Sequence, residues 1–371
     1  MLDAAYVALW WPADGQVSSL ILPDRYSVQR MLIKHEMLDE WIYLHITCTF
    51  RPFTSFTSTI CYSVRLGNGT SRAKYKTAMD SVLCYALQNN YTFILTKSTE
   101  YAELCNHQEF LFQRHCIVAN ILQQNNFEWI LVIDSDTGVV NEKVRIEKYI
   151  RDEADIMFYD RFFNFEIMAG TYLVKKSDYA IKFLHGWADY EKRLPKNFHG
   201  LDNGAIHMYM VEQLAPNATL IPTCWELWRN TTNFETLTRY TLCCREILKN
   251  STAGNVVIYG KGEGWARDAW LTNSHWSPDR DFMFHALKEE HKKKFSAEEK
   301  GKLDGPPYWP WISTLRTPLD TEECRMGEFR WDHEPDLISS AKQLNDHMDK
   351  RRKDVDDEYR SKLIYIQPGH H

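Results

Sequence analysis

Apolar and polar residues alternate along the first half of the chain in a repeating series. Thr59-Ile60-Cys61-Tyr62-Ser63-Val64 is β-rich and is closed by the turn residues Gly67-Asn68-Gly69. Residues 73–88 follow, with Ala78, Val82, Leu83, Tyr85 and Ala86 at the spacing of an amphipathic helix. Tyr91 to Leu95 reads as a second strand, and residues 108–123 as a second helix on Leu111, Phe112, Val118, Ile121 and Leu122. That helix leads into Trp129-Ile130-Leu131-Val132-Ile133, an unbroken apolar run of the kind a buried strand shows. Strand, helix, strand, helix, strand predicts an α/β chain, a three-layer α/β/α arrangement around a mostly parallel central sheet.

The pattern continues with a helix over residues 142–152, strands at 155–159 and 170–174, and a helix N-capped by Ser177 that runs to about Glu191 and stops at Leu194-Pro195. Further on the composition shifts. Residues 288–302 are charged and helical in pattern, Pro306-Pro307-Tyr308-Trp309-Pro310-Trp311 is aromatic and proline-rich, and residues 346–362 are almost wholly polar. The expected organisation is an irregular N-terminal segment, 1–57, a folded domain, 58–290, and a charged and aromatic C-terminal extension, 291–371, wrapped on or trailing from the domain.

Composition narrows the classes of function. With 371 residues, 44% of them hydrophobic, the chain has ample material for a core, and a net charge of -6 offers no basic field for nucleic acid. Lys292-Lys293-Lys294 sits among Glu289, Glu290, Glu298 and Glu299 and reads as a solvated face. Five glycosylation sequons, at Asn68, Asn90, Asn217, Asn230 and Asn250, exceed the roughly two that chance would place. Nine cysteines without a C-x-x-C pair point the same way, to an oxidising, secretory compartment, and their odd number leaves at least one thiol unpaired within the chain. The apolar stretches at 4–13 and 41–50 fall well short of the about twenty residues a spanning helix needs, so any membrane anchor is expected outside this chain.

The chemistry concentrates where the buried strand ends, in Asp134-Ser135-Asp136. Residues i and i+2 of a strand point to one side, so both carboxylates can face one ion. At the carboxyl end of a parallel strand they open into the crevice where α/β folds bind ligands. Hard ions such as Mg²⁺ and Mn²⁺ suit paired carboxylates and are commonly shared with substrate phosphates. The plainer alternative is an Asx turn ahead of Gly138.

A strand ending in D-x-D after a nucleotide-binding βαβαβ half resembles the centre of glycosyltransferases with the GT-A fold. Residues 59–287 resemble, more narrowly, an uncharacterised nematode family of nucleotide-diphospho-sugar transferase type. They are more distantly similar to the galactosyltransferase and xylosyltransferase family of yeast and plant Golgi enzymes. The resemblance rests on Val132 to Asn141, Phe158-Tyr159-Asp160-Arg161-Phe162, Ala169 to Lys175, Phe198-His199-Gly200-Leu201-Asp202-Asn203-Gly204-Ala205 and Gly264-Trp265-Ala266-Arg267-Asp268.

It implies a nucleotide-sugar donor, a UDP-sugar first among them, a glycan or glycoprotein acceptor, and Mn²⁺ or Mg²⁺ as cofactor. Asp134 would sit near the ribose and the metal, and Asp136 would coordinate the ion, which neutralises the leaving diphosphate. A His after the last core strand would be the third ligand. His285 is the match and His275 the rival, with Lys288 as the phosphate contact; Ala286 follows His285 where the Golgi relatives usually carry glycine. Asp202 occupies the place of a base, an orienting acceptor or a helix N-cap, and Gly170 and Thr171 would let the backbone approach the donor. Glu166, Arg161 and Asp268 are candidates for sugar hydroxyls or for buried ion pairs. The Golgi lumen is the implied compartment.

Two other readings start from the same residues. In a haloacid-dehalogenase-like phosphatase Asp134 would be the nucleophile and Asp136 the acid/base, but Gly138 stands where Thr or Val is usual and no later G-D-x-x-x-D appears. In a sugar- or nucleotide-binding module on the same scaffold the site would bind without turnover.

Overall fold

A computed structural model of the chain describes residues 5–6, 60–66, 72–249, 254–294, 296–305 and 310–363. Most of the expected N-terminal lead-in, the turn at 67–69 and the sequons at Asn68 and Asn250 lie outside these residues. In chain order the elements are β1 (Ala5–Tyr6), β2 (Ile60–Leu66), α1 (Lys76–Gln88), β3 (Thr92–Lys97), α2 (Phe110–Gln124), β4 (Trp129–Val132), β5 (Gly138–Val139), β6 (Ile156–Tyr159) and β7 (Tyr172–Lys175). They continue with α3 (Asp178–Asp189), α4 (Leu201–Leu214), α5 (Ile221–Arg229), α6 (Phe234–Leu248), β8 (Val256–Tyr259), β9 (Ala266–Asp268), β10 (Met283–His285), α7 (Ala297–Lys300), α8 (Thr321–Met326) and α9 (Ala341–Leu363).

The larger sheet runs β1-β3-β2-β4-β7-β6-β8. β2 pairs in parallel with β3 and β4, and β6 with β8, while β7 lies antiparallel between β4 and β6. The fold is α/β around a mixed sheet. All four residues of β4 are buried, as its unbroken apolar run requires. Ile130 and Val132 pack with α2, α3, α4 and α6, whereas Trp129, Leu131 and Ile133 pack with α1. Helices therefore cover both faces, giving three layers. Ser177 caps α3 as expected, its hydroxyl accepting from the amide of Ala180 at 3.1 Å.

A second sheet has the order β5-β10-β9, with β10 antiparallel to β5 and parallel to β9. These strands have only two or three residues, too few to show a period. β5 crosses close over α1: a Cβ on Gly138 would lie 2.9 Å from the Ala78 Cα and 2.8 Å from the Ser81 hydroxyl. A side chain there would force the second sheet off the first layer.

Two expected helices came out as short turns, and a stretch read only as polar came out as a helix. Residues 142–152 hold only a 3-10 turn, Ile146–Tyr149, because both end residues are buried three apart and the Tyr149 carbonyl accepts from the Tyr259 hydroxyl at 2.7 Å instead of continuing a ladder. Residues 288–302 hold a 3-10 turn, Glu289–His291, and the single-turn α7. The Glu289 carboxylate instead accepts from the amide of Thr77 at 2.8 Å, at the start of α1, and the Lys293 amide pairs with the Trp311 carbonyl at 2.9 Å. The polar segment 346–362 belongs to the 23-residue α9. Leu344, Met348, Val355, Tyr359 and Leu363 form the narrow apolar stripe that seats it on the domain.

The C-terminal extension is wrapped onto the domain. Trp311 and Ile312 share a core cluster with Ala78, Val140, Phe284 and Leu287, and a Cys84–Cys324 disulfide ties α8 to α1 across 240 residues of sequence. Cys105–Cys116 and Cys224–Cys243 are also bridged, and Cys244 is a buried free thiol. No helix among the described residues is long and apolar enough to cross a membrane.

Candidate metal centre

Ile133 separates Asp134 from β4 and Thr137 separates Asp136 from β5, so the chain between the two sheets carries both acids. The Thr137 amide donates to the Asp134 carbonyl at 2.9 Å, closing the tight turn that the Asx-turn alternative anticipated in part. The turn and the ion site coexist in one segment. Next, the second sheet supplies the histidine. Register pairs Phe284 with Gly138 and His285 with Asp268, and the Leu287 amide donates to the Asp136 carbonyl at 2.9 Å.

One ligand atom from each of Asp134, Asp136 and His285 falls within 4.8 Å of the others. His285 donates from Nδ1 to Asp268 at 2.7 Å and turns Nε2 toward Asp136 at 3.4 Å. A carboxylate behind a histidine fixes its ring and leaves the other nitrogen for an ion. Burial would push the His285 imidazole down, but the Asp136 charge and the Asp268 hydrogen bond outweigh it and hold it above its ordinary value. Burial would likewise raise Asp268; its bond to His285 wins and holds that carboxyl low. Two carboxylates and an imidazole are a donor set that fits Mn²⁺ or Mg²⁺, with the nitrogen favouring Mn²⁺.

Asp134 is the more open acid, its side chain 28% exposed against 10% for Asp136. Burial pushes Asp134 up, against the pull of Arg114 and with the help of the neighbouring Asp136 charge. Two acids this close repel each other, and a bound cation relieves that repulsion. The Lys288 ammonium stands 3.9 Å from Asp136 on the same side.

Gly170 is required by contact. A Cβ there would fall 1.7 Å from an Asp134 carboxylate oxygen. Thr171 is buried, its hydroxyl held by the Trp265 indole at 2.9 Å. Asp202 lies in the first turn of α4 and is fully buried. It is paired with Arg114 and meets His115 at 3.2 Å, while Arg114 donates its other arm to Asp134 at 2.8 Å. Burial alone would raise the Asp202 carboxyl; Arg114 outweighs it and holds it low. The same burial drives His115 down to about 3, so it is neutral.

Glu166 is in an ion pair with the half-buried Arg161 at 3.1 Å, and Arg161 lines a small cavity together with Asp268 and His285. His275, the rival ligand, has both nitrogens engaged elsewhere, Nδ1 with the Ser339 hydroxyl at 2.9 Å and Nε2 with the Lys300 carbonyl at 2.6 Å. It pins the C-terminal extension to the second sheet.

Arg114 is the residue that sequence reasoning missed. It lies one turn into α2, among the apolar positions that identified the helix, and a charged residue there was the available signal. The second-sheet support was also missed. Arg267 is buried and bonds Asp281 in two-pronged fashion, at 2.8 and 3.0 Å, together with the Thr272 hydroxyl and the His275 carbonyl.

Residues 82–301 match a family described as protein of unknown function, DUF273. The chain belongs to that family. In this DUF273 member the matched segment includes the acid pair, Asp202, Asp268, His285 and Lys288. No curated protein matches the chain. Among solved structures it is similar to a glycosyltransferase involved in the glycosylation of the major capsid of PBCV-1, with 14% identity and a TM-score of 0.34, over 61% of this chain and 92% of that one. A likeness so slight has no bearing on activity.

Proposed function

We propose that this chain is a metal-dependent glycosyltransferase that moves a hexose or pentose from a nucleotide-diphosphate sugar, a UDP-sugar first among candidates, to a glycan or glycoprotein acceptor. The observation that carries the reading is the convergence of Asp134, Asp136 and His285 at the end of β4, with Asp268 behind the histidine and Lys288 beside the acids. Its resemblance to the D-x-D centre of GT-A transferases, and more distantly to the Golgi family, supports the choice of reaction. Three disulfides are compatible with the secretory pathway, and the Golgi lumen is the proposed compartment.

In this reading Asp134, Asp136 and His285 hold Mn²⁺ or Mg²⁺, which when bound supplies positive charge to the leaving diphosphate. The chain's own residues do the rest. Lys288 adds a second positive charge for the phosphates, and Gly170 leaves room for the Asp134 carboxylate against the backbone on which the donor would lie. Thr171, fixed by Trp265, holds the backbone of that wall. Asp202, buried behind Arg114, acts as a positioning residue: it orients the guanidinium that orients Asp134. Glu166 and its Arg161 partner are the proposed contacts for sugar hydroxyls.

Release of uridine diphosphate from a panel of donor sugars, with Mn²⁺ or chelator, tests the reading on secreted protein. Mn²⁺-dependent release from one donor is expected, and Asp136→Asn should lower it at least about 10³-fold, the loss of several kcal/mol of charge stabilisation. Phosphate release from a generic phosphoester, with no donor cleaved, would move the assignment to the phosphatase. Donor binding by calorimetry without turnover on any acceptor would move it to the binding module.

A further inference from the structure

The sequons at Asn90, Asn217 and Asn230 all lie among the described residues, and all three asparagines are exposed. Asn90 sits in the turn between α1 and β3 with φ +58°, Asn217 in the loop between α4 and α5, and Asn230 at the carboxyl end of α5. No hydrogen bond of their side-chain amides occurs among the described residues. Other asparagines in comparable places behave differently: Asn89 and Asn125, each ending a helix, bond their amides back to Tyr85 and Ile121 at 3.0 and 2.9 Å. Neither of those begins a sequon. The asparagines that do begin one keep their amide nitrogens free of the protein and pointed at no buried partner.

We infer that Asn90, Asn217 and Asn230 are sites of N-linked glycosylation, an inference independent of the transferase reading. In the transfer, the Asn side-chain nitrogen forms a bond to the anomeric carbon of a lipid-diphosphate-linked oligosaccharide. The bond from that carbon to the diphosphate oxygen breaks, the lipid diphosphate leaves with the electron pair, and the amide gives up one proton. The folded chain accommodates the product at each position. At Asn217 a groove of about 480 Å³, lined by Leu214, Pro216, Thr219 and Ile247, opens beside the side chain and has room for the first sugar. Asn90 lies in the turn just before β3, at the end of the sheet opposite the one where β4 delivers Asp134, because β3 and β4 are both parallel to β2. Asn217 follows α4, which carries the chain about 18 Å from Asp202 to Leu214. Glycans at these two positions leave the candidate metal centre uncovered. Asn230 is nearer to it, since the Trp228 indole two residues before donates to the His199 carbonyl at 3.0 Å.

The test is peptide mass mapping of the full chain secreted from eukaryotic cells, before and after an amidase that removes N-glycans and leaves Asp in place of Asn. The expected result is Asp at positions 90, 217 and 230 after treatment, with the corresponding unmodified peptides missing from the untreated sample. Each of Asn90→Gln, Asn217→Gln and Asn230→Gln should then remove one step of electrophoretic mobility. Unmodified Asn at all three positions in untreated secreted protein overturns the inference, and unmodified Asn at one of them removes that site.

Discussion

The two sheets of this molecule meet at the candidate centre and are built on different principles. The βαβαβ half from β2 to β4 is held by continuous apolar burial, and its strand and helices are long enough to announce themselves by period. The β5-β10-β9 sheet is short and is held by buried charge pairs, Arg267 with Asp281 and Asp268 with His285, and by the C-terminal extension that covers it. The first contributes the acid pair and the second contributes the imidazole. An ion site split this way depends on the docking of two sheets, so damage to either should be felt at one point.

Paired core substitutions give the largest separation between them. Leu131→Ala, in the first sheet, should cost about 2–5 kcal/mol of stability through the cavity it leaves. Arg267→Ala, in the second, should cost about 3 kcal/mol, the low end for a broken buried pair, because it removes the two-pronged partner of Asp281 and leaves Arg280 as its remaining cation. Denaturant melts measure both. Mn²⁺ affinity, measured on the fraction still folded, should fall selectively in the Arg267 variant; equal loss in the two would dissolve the distinction.

A pH series probes the first sheet's own buried polar group. His207 accepts from the Ile167 amide at 3.0 Å, and burial, reinforced by the Arg245 charge, drives its pKa down to about 4. A depressed folded value means the neutral form stabilises the protein above the unfolded pKa of about 6.5, and this stability is lost as pH falls toward 4. The drop should be on the order of 2–3 kcal/mol. Equilibrium unfolding at pH 7 and pH 4.5 should show a smaller drop in His207→Gln than in wild type; identical drops would place the acid sensitivity elsewhere.

Asp268→Asn sharpens the comparison inside the second sheet. It keeps the shape and removes the charge behind His285, and should weaken Mn²⁺ binding about 10–100-fold. Calorimetric titration reads the affinity, and an unchanged value would detach His285 from the ion. The smallest effect belongs to Ala286, held at φ +69°. Relief of the left-handed strain, about 1–2 kcal/mol, is offset by the lost methyl burial of about 0.8 kcal/mol and by the greater freedom of glycine when unfolded. Ala286→Gly should therefore change stability by less than about 1 kcal/mol, and a large loss in a thermal melt would show that the methyl group is a packing element of the second sheet.

The sequence by itself determined the α/β layering, the β4 strand and the acids at its end, since each depends on a local period or on residues two apart. It also pointed to His285, through the resemblance, and to Ser177 as a cap. It did not reveal α4 to α6, the three short strands or α9, where the apolar stripe is diluted by charge to five residues in 23. Only the tertiary structure shows His285 within 4.8 Å of the acid pair and both His275 nitrogens engaged with Ser339 and Lys300. Likewise only docking made Asp202 a buried partner of Arg114, across 88 residues of sequence. Strand period and side-chain alternation are carried by neighbours along the chain; hydrogen-bond partners and buried charge pairs are carried by neighbours in space, and a single sequence records only the first kind.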